Sequence, residues 1–152
     1  MIVDIKLLNP DCKPIKGSDG AIGFDIRANI KEPITIKCGE VKLIPLGFCV
    51  DLKEPELGMM LYMRSGLANK HGLMLTNSVG VIDSDYRGEV MASIWNTGTT
   101  GKGFTVEPLD TIASSYSSRT KSSSSTLSIS KLSYLSKSNR LCSMEHYLTN
   151  SI

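Results

Sequence analysis

Short apolar runs separated by turn-forming residues dominate the first 113 residues, and this pattern limits the chain to few folds. The runs are rich in Val, Ile, Leu and Phe, and several alternate apolar with polar residues, as half-buried β-strands do. Gly, Pro, Asn and Asp separate them in KGSDG, KEP, NTGTTGKG and EPLD. The stretch SGLANKHG (65–72) is typical of a helix, but it is too short to shape the fold. The pattern predicts an all-β barrel or sandwich with strands in VDIKLL, AIGFDIRA, ITIKCGEVKLIPLGFCVDL, GMMLYM, GLMLTN, VMASIW and FTVEP.

The length and composition are those of one ordinary domain. The chain has 152 residues, of which 41% are hydrophobic and 21% charged. No stretch approaches the roughly 18 apolar residues of a membrane span. The N-terminal MIVDIKLLNPDCK lacks the apolar centre of a signal peptide. We therefore expect a soluble, cytoplasmic protein (in the host cell if the source is a virus) that has no membrane partner.

The composition changes abruptly at Ser114. About half of the residues from 114 to 138 are serine, and apolar periodicity fades. Such a segment buries too little apolar surface to offset its ordering entropy, so we expect a β domain over 1–113 and a disordered tail over 114–152. The tail carries five basic side chains and one acid, whereas residues 1–113 carry 12 basic and 14 acidic side chains. Because the tail lacks aromatic residues interleaved with its basic ones, we expect no nucleic-acid partner.

The cysteines and the body's one histidine do not form a recognisable metal site. Cys12, Cys38, Cys49 and Cys142 show neither C-x-x-C spacing nor a nearby histidine cluster. In a reducing compartment we expect buried or idle thiols rather than zinc ligands or disulfides. His71 is expected on a loop surface rather than in catalysis.

The stretch YMRSGLANKHG (62–72) carries donors suited to phosphate. Arg64 offers planar N–H donors, and the Ser65 hydroxyl and the backbone around Gly66 add others ahead of the short helix. The alternative is structural, with Ser65 capping the helix and Arg64 on the surface. The residues alone leave both interpretations open.

The stretch MLTNSVGVIDSDYRGEV (74–90) holds the densest group of polar candidates. The Asn77 amide offers a donor and an acceptor together, as a pyrimidine edge requires. Gly80 would let the backbone approach a ligand closely. Asp83 could act as a general base toward water, and Tyr86 could stack on a sugar ring. The alternative is a tight hairpin whose aspartates form Asx turns.

Asp25 lies inside the otherwise apolar strand AIGFDIRA. A carboxylate in such a place must be paired, hydrogen-bonded or near a metal. It is either a satisfied structural aspartate or a ligand.

In this order, the stretches resemble four of the five motifs of the trimeric dUTPase family. GAIGFDIRA resembles the first, RSGLA the second, NSVGVIDSDYRGEV the third and FTVEPLDTIA the fourth. The resemblance implies a jelly-roll-like β fold and a homotrimer with active sites between subunits. It also implies hydrolysis of dUTP to dUMP and pyrophosphate with Mg²⁺, which limits uracil in DNA and supplies dUMP for dTMP synthesis.

The resemblance also implies a role for each matching residue. Asp83 would activate the water that attacks the α-phosphorus, and Tyr86 would pack on the deoxyribose where a 2′-hydroxyl would clash. Arg64, Ser65 and Gly66 would hold the phosphates, while Asp25 would act on Mg²⁺ through bound water. The uracil would be read by Asn77, Val81, Ile82 and Met91.

The chain departs from the family after Ala113. The family continues with Gln and an apolar strand, and ends in a Gly-rich motif with a Phe that closes over the substrate. The bases that can encode SSYSSRTK (114–121), read with one C in front, can encode QLIFVKNK, so we hypothesise a shifted reading frame. We expect an unpaired sheet edge after Ala113 and low turnover. The alternatives are an impaired relative that binds nucleotide or regulates, and a dCTP deaminase.

Overall fold

The computed structural model describes residues 2–119 and 131–134. Within these residues the chain forms strands, one α-helix and a 3-10 turn at Pro10–Cys12. The elements are β1 (Ile2–Leu7), β2 (Phe24–Arg27), β3 (Ile34–Ile36), β4 (Val41–Pro45), β5 (Phe48–Asp51), β6 (Leu57–Met63), α1 (Ser65–His71), β7 (Leu73–Leu75), β8 (Gly80–Ile82), β9 (Met91–Asn96), β10 (Phe104–Val106), β11 (Thr111–Arg119) and β12 (Lys131–Tyr134).

The described residues form small sheets, in which all neighbouring strand pairs but one are antiparallel. The long apolar run at 34–52 supplies three strands, because the chain turns at Gly39 and Gly47, whose φ angles are 78° and 76°. This architecture confirms the predicted all-β class with one short helix. The strand orders are β12-β1-β5, β10-β3, β2-β11-β6-β8 and β4-β9-β7.

The helix predicted from SGLANKHG is also confirmed. It covers Ser65–His71 and ends at Gly72, which adopts the left-handed conformation with φ 65° and donates its N–H to the carbonyls of Ala68 and Leu67. His71 is exposed, as expected, but it is the last helical residue rather than a loop residue, and its ring lies 4.7 Å from that of Phe104.

One apolar core lies between the sheets. It draws side chains from strands throughout the described part of the chain, so residues 2–113 bury a common interior. The largest fully buried side chains are Phe48, Ile26, Ile36, Ile44, Leu46, Leu52, Leu61, Leu73, Ile94, Ile112, Val50 and Val90.

The prediction that order stops at Ser114 is wrong for the next six residues. β11 runs on to Arg119 and pairs with β6 over Ala113–Arg119, while β2 pairs with its other edge as far as Ser115, so the sheet continues past Ala113. Backbone ladder bonds form whatever the side chains are, and a strand with a neighbour on each side can use both edges. Ser115 and Ser117 are small enough to face the core, where they are 5% and 6% exposed.

A second part of the expected irregular tail also forms a strand. β12 pairs in parallel with β1, with Ile2 opposite Lys131 and Ile5 opposite Tyr134. The remaining predictions for the tail, including its disorder and the missing Gly-rich motif, fall on 120–130 and 135–152, outside the described residues, as does Cys142.

The described cysteines differ in exposure. Cys12 and Cys49 are buried, whereas Cys38 is exposed. Burial raises the pKa of the Cys12 thiol, with a smaller contribution from Asp11. Among the described residues, no helix is long and apolar enough to cross a membrane.

Candidate active site

A tight turn directly after β8 presents the acidic residues of the third motif. Asp83 and Asp85 are exposed, and the Tyr86 N–H donates to the Asp83 carbonyl at 3.1 Å. The predicted turn therefore exists. It leaves the Asp83 carboxylate exposed directly after β8, where a ligand and water can reach it.

Hydrogen bonds within the loop fix the half-buried ring of Tyr86. Its hydroxyl donates to the Glu89 carbonyl at 2.9 Å. The Glu89 carboxylate in turn accepts from the Gly47 N–H at 2.8 Å and from the Asn29 side-chain amide at 3.1 Å. Sequence reasoning missed Glu89, although an acid directly before the fully buried Val90 signals a side chain that needs a partner.

Arg87 holds the other side of the turn. Its Nη1 donates to the carbonyls of Ser84 at 2.7 Å and Tyr86 at 3.0 Å, and its Nη2 lies 3.6 Å from Asp51 Oδ1. A hydrogen bond from Lys53, with a smaller effect of Arg87, lowers the pKa of Asp51. The turn is thus tied to the end of β5 by a carboxylate that favours its charged form.

The predicted uracil-reading residues lie on and beside an edge strand. β8 pairs with β6 on one side, with Val81 opposite Met60 and Ile82 opposite Met59. Its other edge has no strand partner among the described residues, and Val81 is 56% exposed. Backbone donors and acceptors on such an edge can bind an extended or planar ligand.

Gly80, by contrast, has a packing role. A Cβ at this position would lie 3.1 Å from the Cβ of Leu61, so glycine lets β8 approach β6 closely. The expectation of a close approach to a ligand is not needed to explain this glycine.

Asn77 and Met91 flank the edge strand in the chain. Asn77 is exposed in the turn between β7 and β8, and its carbonyl accepts from the Val79 N–H at 2.6 Å. The preceding Thr76 N–H donates to the Ser93 carbonyl, which places this turn beside β9. Met91 opens β9 and is half-buried opposite Pro45.

The phosphate-binding candidates lie where β6 passes into the helix. Arg64, Ser65 and Gly66 are all exposed. Arg64, not Ser65, occupies the N-cap position, and its side chain makes no capping hydrogen bond, so the interpretation of Ser65 as the cap is wrong. The Arg64 N–H donates to the Ile112 carbonyl at 3.3 Å, which attaches this corner to β11.

Asp25 is half-buried in β2 opposite Ser114. The Ser114 hydroxyl donates to Asp25 Oδ1 at 3.2 Å, which meets the requirement that a carboxylate in this strand have a partner. Among the described residues, no three His, Cys, Asp or Glu side chains are grouped so that they could hold a metal ion.

The candidates fall into two groups at opposite ends of β6. Ile82, which directly precedes Asp83, pairs with Met59, whereas Arg64 lies five residues further along the chain. At about 3.4 Å per residue this is roughly 17 Å. Asp25 lies at the Arg64 end, because its partner Ser114 pairs with Tyr62. One chain therefore groups Asp25 with Arg64, and Asp83 with Tyr86, but not all four.

Comparison with known proteins identifies the family of this chain. The dUTPase family model matches residues 11–125. Deoxyuridine 5'-triphosphate nucleotidohydrolases of Azoarcus sp. (strain BH72) and Hahella chejuensis are 45% and 46% identical to this chain. The alignments span 114 and 112 residues, which are 73% and 74% of this chain and 75% and 72% of the relatives.

Solved structures agree on the fold. The dUTPase from Streptococcus mutans has a TM-score of 0.70 at 24% identity and covers 80% of this chain and 99% of its own. A mutant dUTPase from phage phi11 of S. aureus has a TM-score of 0.67 at 17% identity and covers 84% and 97%. The family match and the relatives' identity lead to one conclusion: the chain belongs to the dUTPase family.

Proposed function

We propose that this protein hydrolyses dUTP to dUMP and pyrophosphate. The observation that carries the proposal is the exposed Asp83 carboxylate, held in a turn directly after an edge strand and three residues from a tyrosine ring of fixed orientation. The relatives named deoxyuridine 5'-triphosphate nucleotidohydrolase support the choice of substrate.

In this mechanism Asp83 accepts a proton from the water that attacks the α-phosphorus. The new P–O bond forms in line with the bond to the bridging oxygen, which leaves with pyrophosphate. Because a turn rather than a flexible tail holds the carboxylate, the base is positioned before the substrate arrives. A positioned general base typically contributes a factor of about 10²–10⁴ to the rate.

Uracil and deoxyribose would bind beside β8 and the turns that flank it. The free edge of β8 at Val81 and Ile82, together with the Asn77 amide, offers donors and acceptors for a pyrimidine edge. Met91 lies at the start of the neighbouring strand β9. The Tyr86 ring would support the deoxyribose, and a 2′-hydroxyl would meet it sterically, so UTP is disfavoured.

The triphosphate would bind at the Arg64 end. Arg64 supplies a guanidinium, while the Ser65 hydroxyl and the Gly66 backbone are exposed beside it. Mg²⁺, when bound, would neutralise part of the triphosphate charge. Asp25 would hold it through water, since Ser114 already donates to one carboxylate oxygen. The S. aureus phage phi11 dUTPase structure is described as coordinating a structural Mg(II) ion.

The separation of the two groups supports sites that are shared between copies of the chain, as in the homotrimer that the family resemblance implies. Asp83 and Arg64 lie beyond opposite ends of the stretch of β6 that pairs with β8, so two copies of the chain would complete one site. Mixing an Asp83→Asn chain with an Arg64→Gln chain tests this directly. Activity should return in the mixture if the sites are shared, and it should stay absent if each chain carries a whole site.

The activity itself is tested by pyrophosphate release from dUTP with Mg²⁺. Asp83→Asn should lower kcat by about 10²–10⁴-fold. The matched control is Asp85→Asn, another exposed aspartate of the same turn, which should stay within a few-fold of the unchanged chain. Equal losses in the two variants would argue against Asp83 as the base. Ammonia release from dCTP, measured in parallel, would point instead to a deaminase.

A second candidate is nucleotide binding without turnover. It is favoured by the two serines that β11 places in the core at positions 115 and 117, where a well-packed sheet has apolar side chains. A dUTP-binding isotherm with no pyrophosphate release would support a regulatory or impaired relative.

A further inference from the structure

The turn that carries Asp83 and Tyr86 is fastened to a rigid part of the fold through Glu89. The carboxylate oxygen Oε1 of Glu89 accepts from the Gly47 N–H at 2.8 Å and from Asn29 Nδ2 at 3.1 Å. Both donors come from loops far from Glu89 in the chain, so their bonds join three separate segments.

The Gly47 turn is a firm anchor. Its φ of 76° lies in the left-handed region, and a Cβ would stand 2.6 Å from the Cβ of the buried Cys12. The Gly47 carbonyl accepts from the Leu8 and Asn9 N–H groups at 2.8 and 3.1 Å. Because several contacts hold this turn in place, its hydrogen bond to the Glu89 carboxylate fixes the position of that carboxylate.

Asn29 is held equally well. Its N–H donates to the Pro45 carbonyl at 2.8 Å, and its side-chain oxygen accepts from Asn9 Nδ2 at 3.0 Å. The amide that reaches Glu89 therefore has its orientation set by other bonds.

The backbone of Glu89 connects these hydrogen bonds to Tyr86 and Asp83. The Glu89 carbonyl accepts the Tyr86 hydroxyl at 2.9 Å, and the Tyr86 N–H closes the turn on the Asp83 carbonyl at 3.1 Å. Arg87 braces the same turn from the other side through Ser84 and Asp51.

We propose that Glu89 is a positioning residue for the hydrolysis of dUTP, with Arg87 as its weaker counterpart. Its carboxylate fixes the Tyr86 ring and the Asp83 carboxylate relative to the β4–β5 turn. The inference rests on the proposed function of Asp83 and Tyr86. It is specific to acceptor chemistry, because Gly47 and Asn29 both need an oxygen to receive their protons.

The test compares Glu89→Gln, which keeps an oxygen acceptor, with Glu89→Met, which keeps similar length but has none. In Glu89→Met, kcat at saturating dUTP should fall at least tenfold, and the preference for dUTP over UTP should become smaller. Glu89→Gln should retain most of the kcat and most of the preference for dUTP. A purely structural role would lower the melting temperature of the two variants without this difference in kcat per folded enzyme.

Hydrogen exchange provides a readout that does not depend on turnover. The Tyr86 amide should exchange at least tenfold faster in Glu89→Met than in Glu89→Gln. Equal exchange in the two would overturn the inference, as would equal kcat. If the unchanged chain releases no pyrophosphate, that failure belongs to the proposed function, and the exchange result still decides on Glu89.

Variants of Arg87 test the inference if Glu89→Met does not fold. Its side chain is 44% exposed, so Arg87→Met should fold. It should speed exchange of the Tyr86 amide a few-fold and lower kcat, while Arg87→Lys should recover part of the loss. If Glu89→Met does not fold, Glu89→Ala takes its place. Normal kcat in Glu89→Ala, together with unchanged exchange of the Tyr86 amide in Arg87→Met, would refute the anchoring role.

Discussion

Strands β6 and β11 lie side by side in one sheet, but β6 is rich in large apolar residues and β11 is rich in serine. β6 reads LGMMLYM, whereas β11 reads TIASSYSSR. They nevertheless pair in continuous register from Ala113 opposite Met63 to Arg119 opposite Leu57. Both strands alternate between core and outside, with Met59 and the opposite Ser117 both buried. A strand's place in a sheet can therefore be decided by the pairing of its backbone, even where its side chains are small and polar.

The two strands differ in what they contribute to stability. β6 removes large apolar side chains from water, which is the principal source of stabilisation in a core. β11 buries Ile112 and Ala113 near its start, and from Ser114 on it contributes mainly ladder hydrogen bonds, together with the stacked pair Tyr62 and Tyr116, whose ring centroids lie 5.3 Å apart. Substitutions that separate backbone from side-chain contributions should thus affect the strands differently.

The largest effect is expected from removing a backbone donor in β11. Ser115 pairs with Phe24 on one side and Leu61 on the other, so its N–H lies between two strands whichever way it points. Ser115→Pro should destabilise the protein by about 3 kcal/mol or more, and Ser115→Ala by no more than about 1 kcal/mol. Urea unfolding followed by circular dichroism measures both. Similar midpoints would show that β11 does not depend on its ladder.

A smaller difference should separate two side chains that face each other across the strands. Met59→Ala should cost about 2–5 kcal/mol, because it leaves a cavity in the core. Ser117→Ala, at the opposite position, should change stability by only about 1 kcal/mol in either direction. Thermal unfolding of the two variants makes the comparison. A larger loss in Ser117→Ala would mean that the buried hydroxyl, not the backbone, holds β11.

The smallest effect should come from the tyrosine pair on the outside of the sheet. The hydroxyls of Tyr62 and Tyr116 lie 2.9 Å apart, and this hydrogen bond raises the pKa of Tyr62. Because the folded pKa is raised, the stabilisation is complete below the ordinary tyrosine pKa of about 10 and is lost as pH rises through the folded value. Tyr116→Phe should cost at most about 1 kcal/mol at neutral pH.

The same variant should change the alkaline titration. In Tyr116→Phe, the ultraviolet absorbance of tyrosinate should appear at lower pH for Tyr62 than in the unchanged chain. A titration that does not move would show that the two hydroxyls are not bonded in solution.

The inward positions of β11 also bear on the shifted reading frame. The alternative reading QLIFVKNK would place Leu at position 115 and Phe at position 117, the two serine positions that face the core. The frame hypothesis stays a prediction, which the nucleotide sequence can test directly.

Much of the fold was predictable because alternation and turn residues are local signals. The runs GMMLYM and VMASIW became β6 and β9, and the short helix ended at Gly72 as its glycine indicates. The site was predictable in its residues but not in its arrangement. Glu89 and Arg87 escaped notice, since their partners Gly47, Asn29 and Asp51 are distant in the chain.

The sequence by itself determined the all-β class, the position of the helix and the identity of the motif residues, because periodicity, turn propensity and side-chain chemistry are properties of short segments. Only the tertiary structure decided that a serine-rich segment would continue as a central strand, that Arg64 and Asp83 would lie at opposite ends of β6, and that Glu89 would anchor the turn. Those outcomes depend on which backbone groups find partners across the sheet, and pairing between distant segments is not written in any one of them.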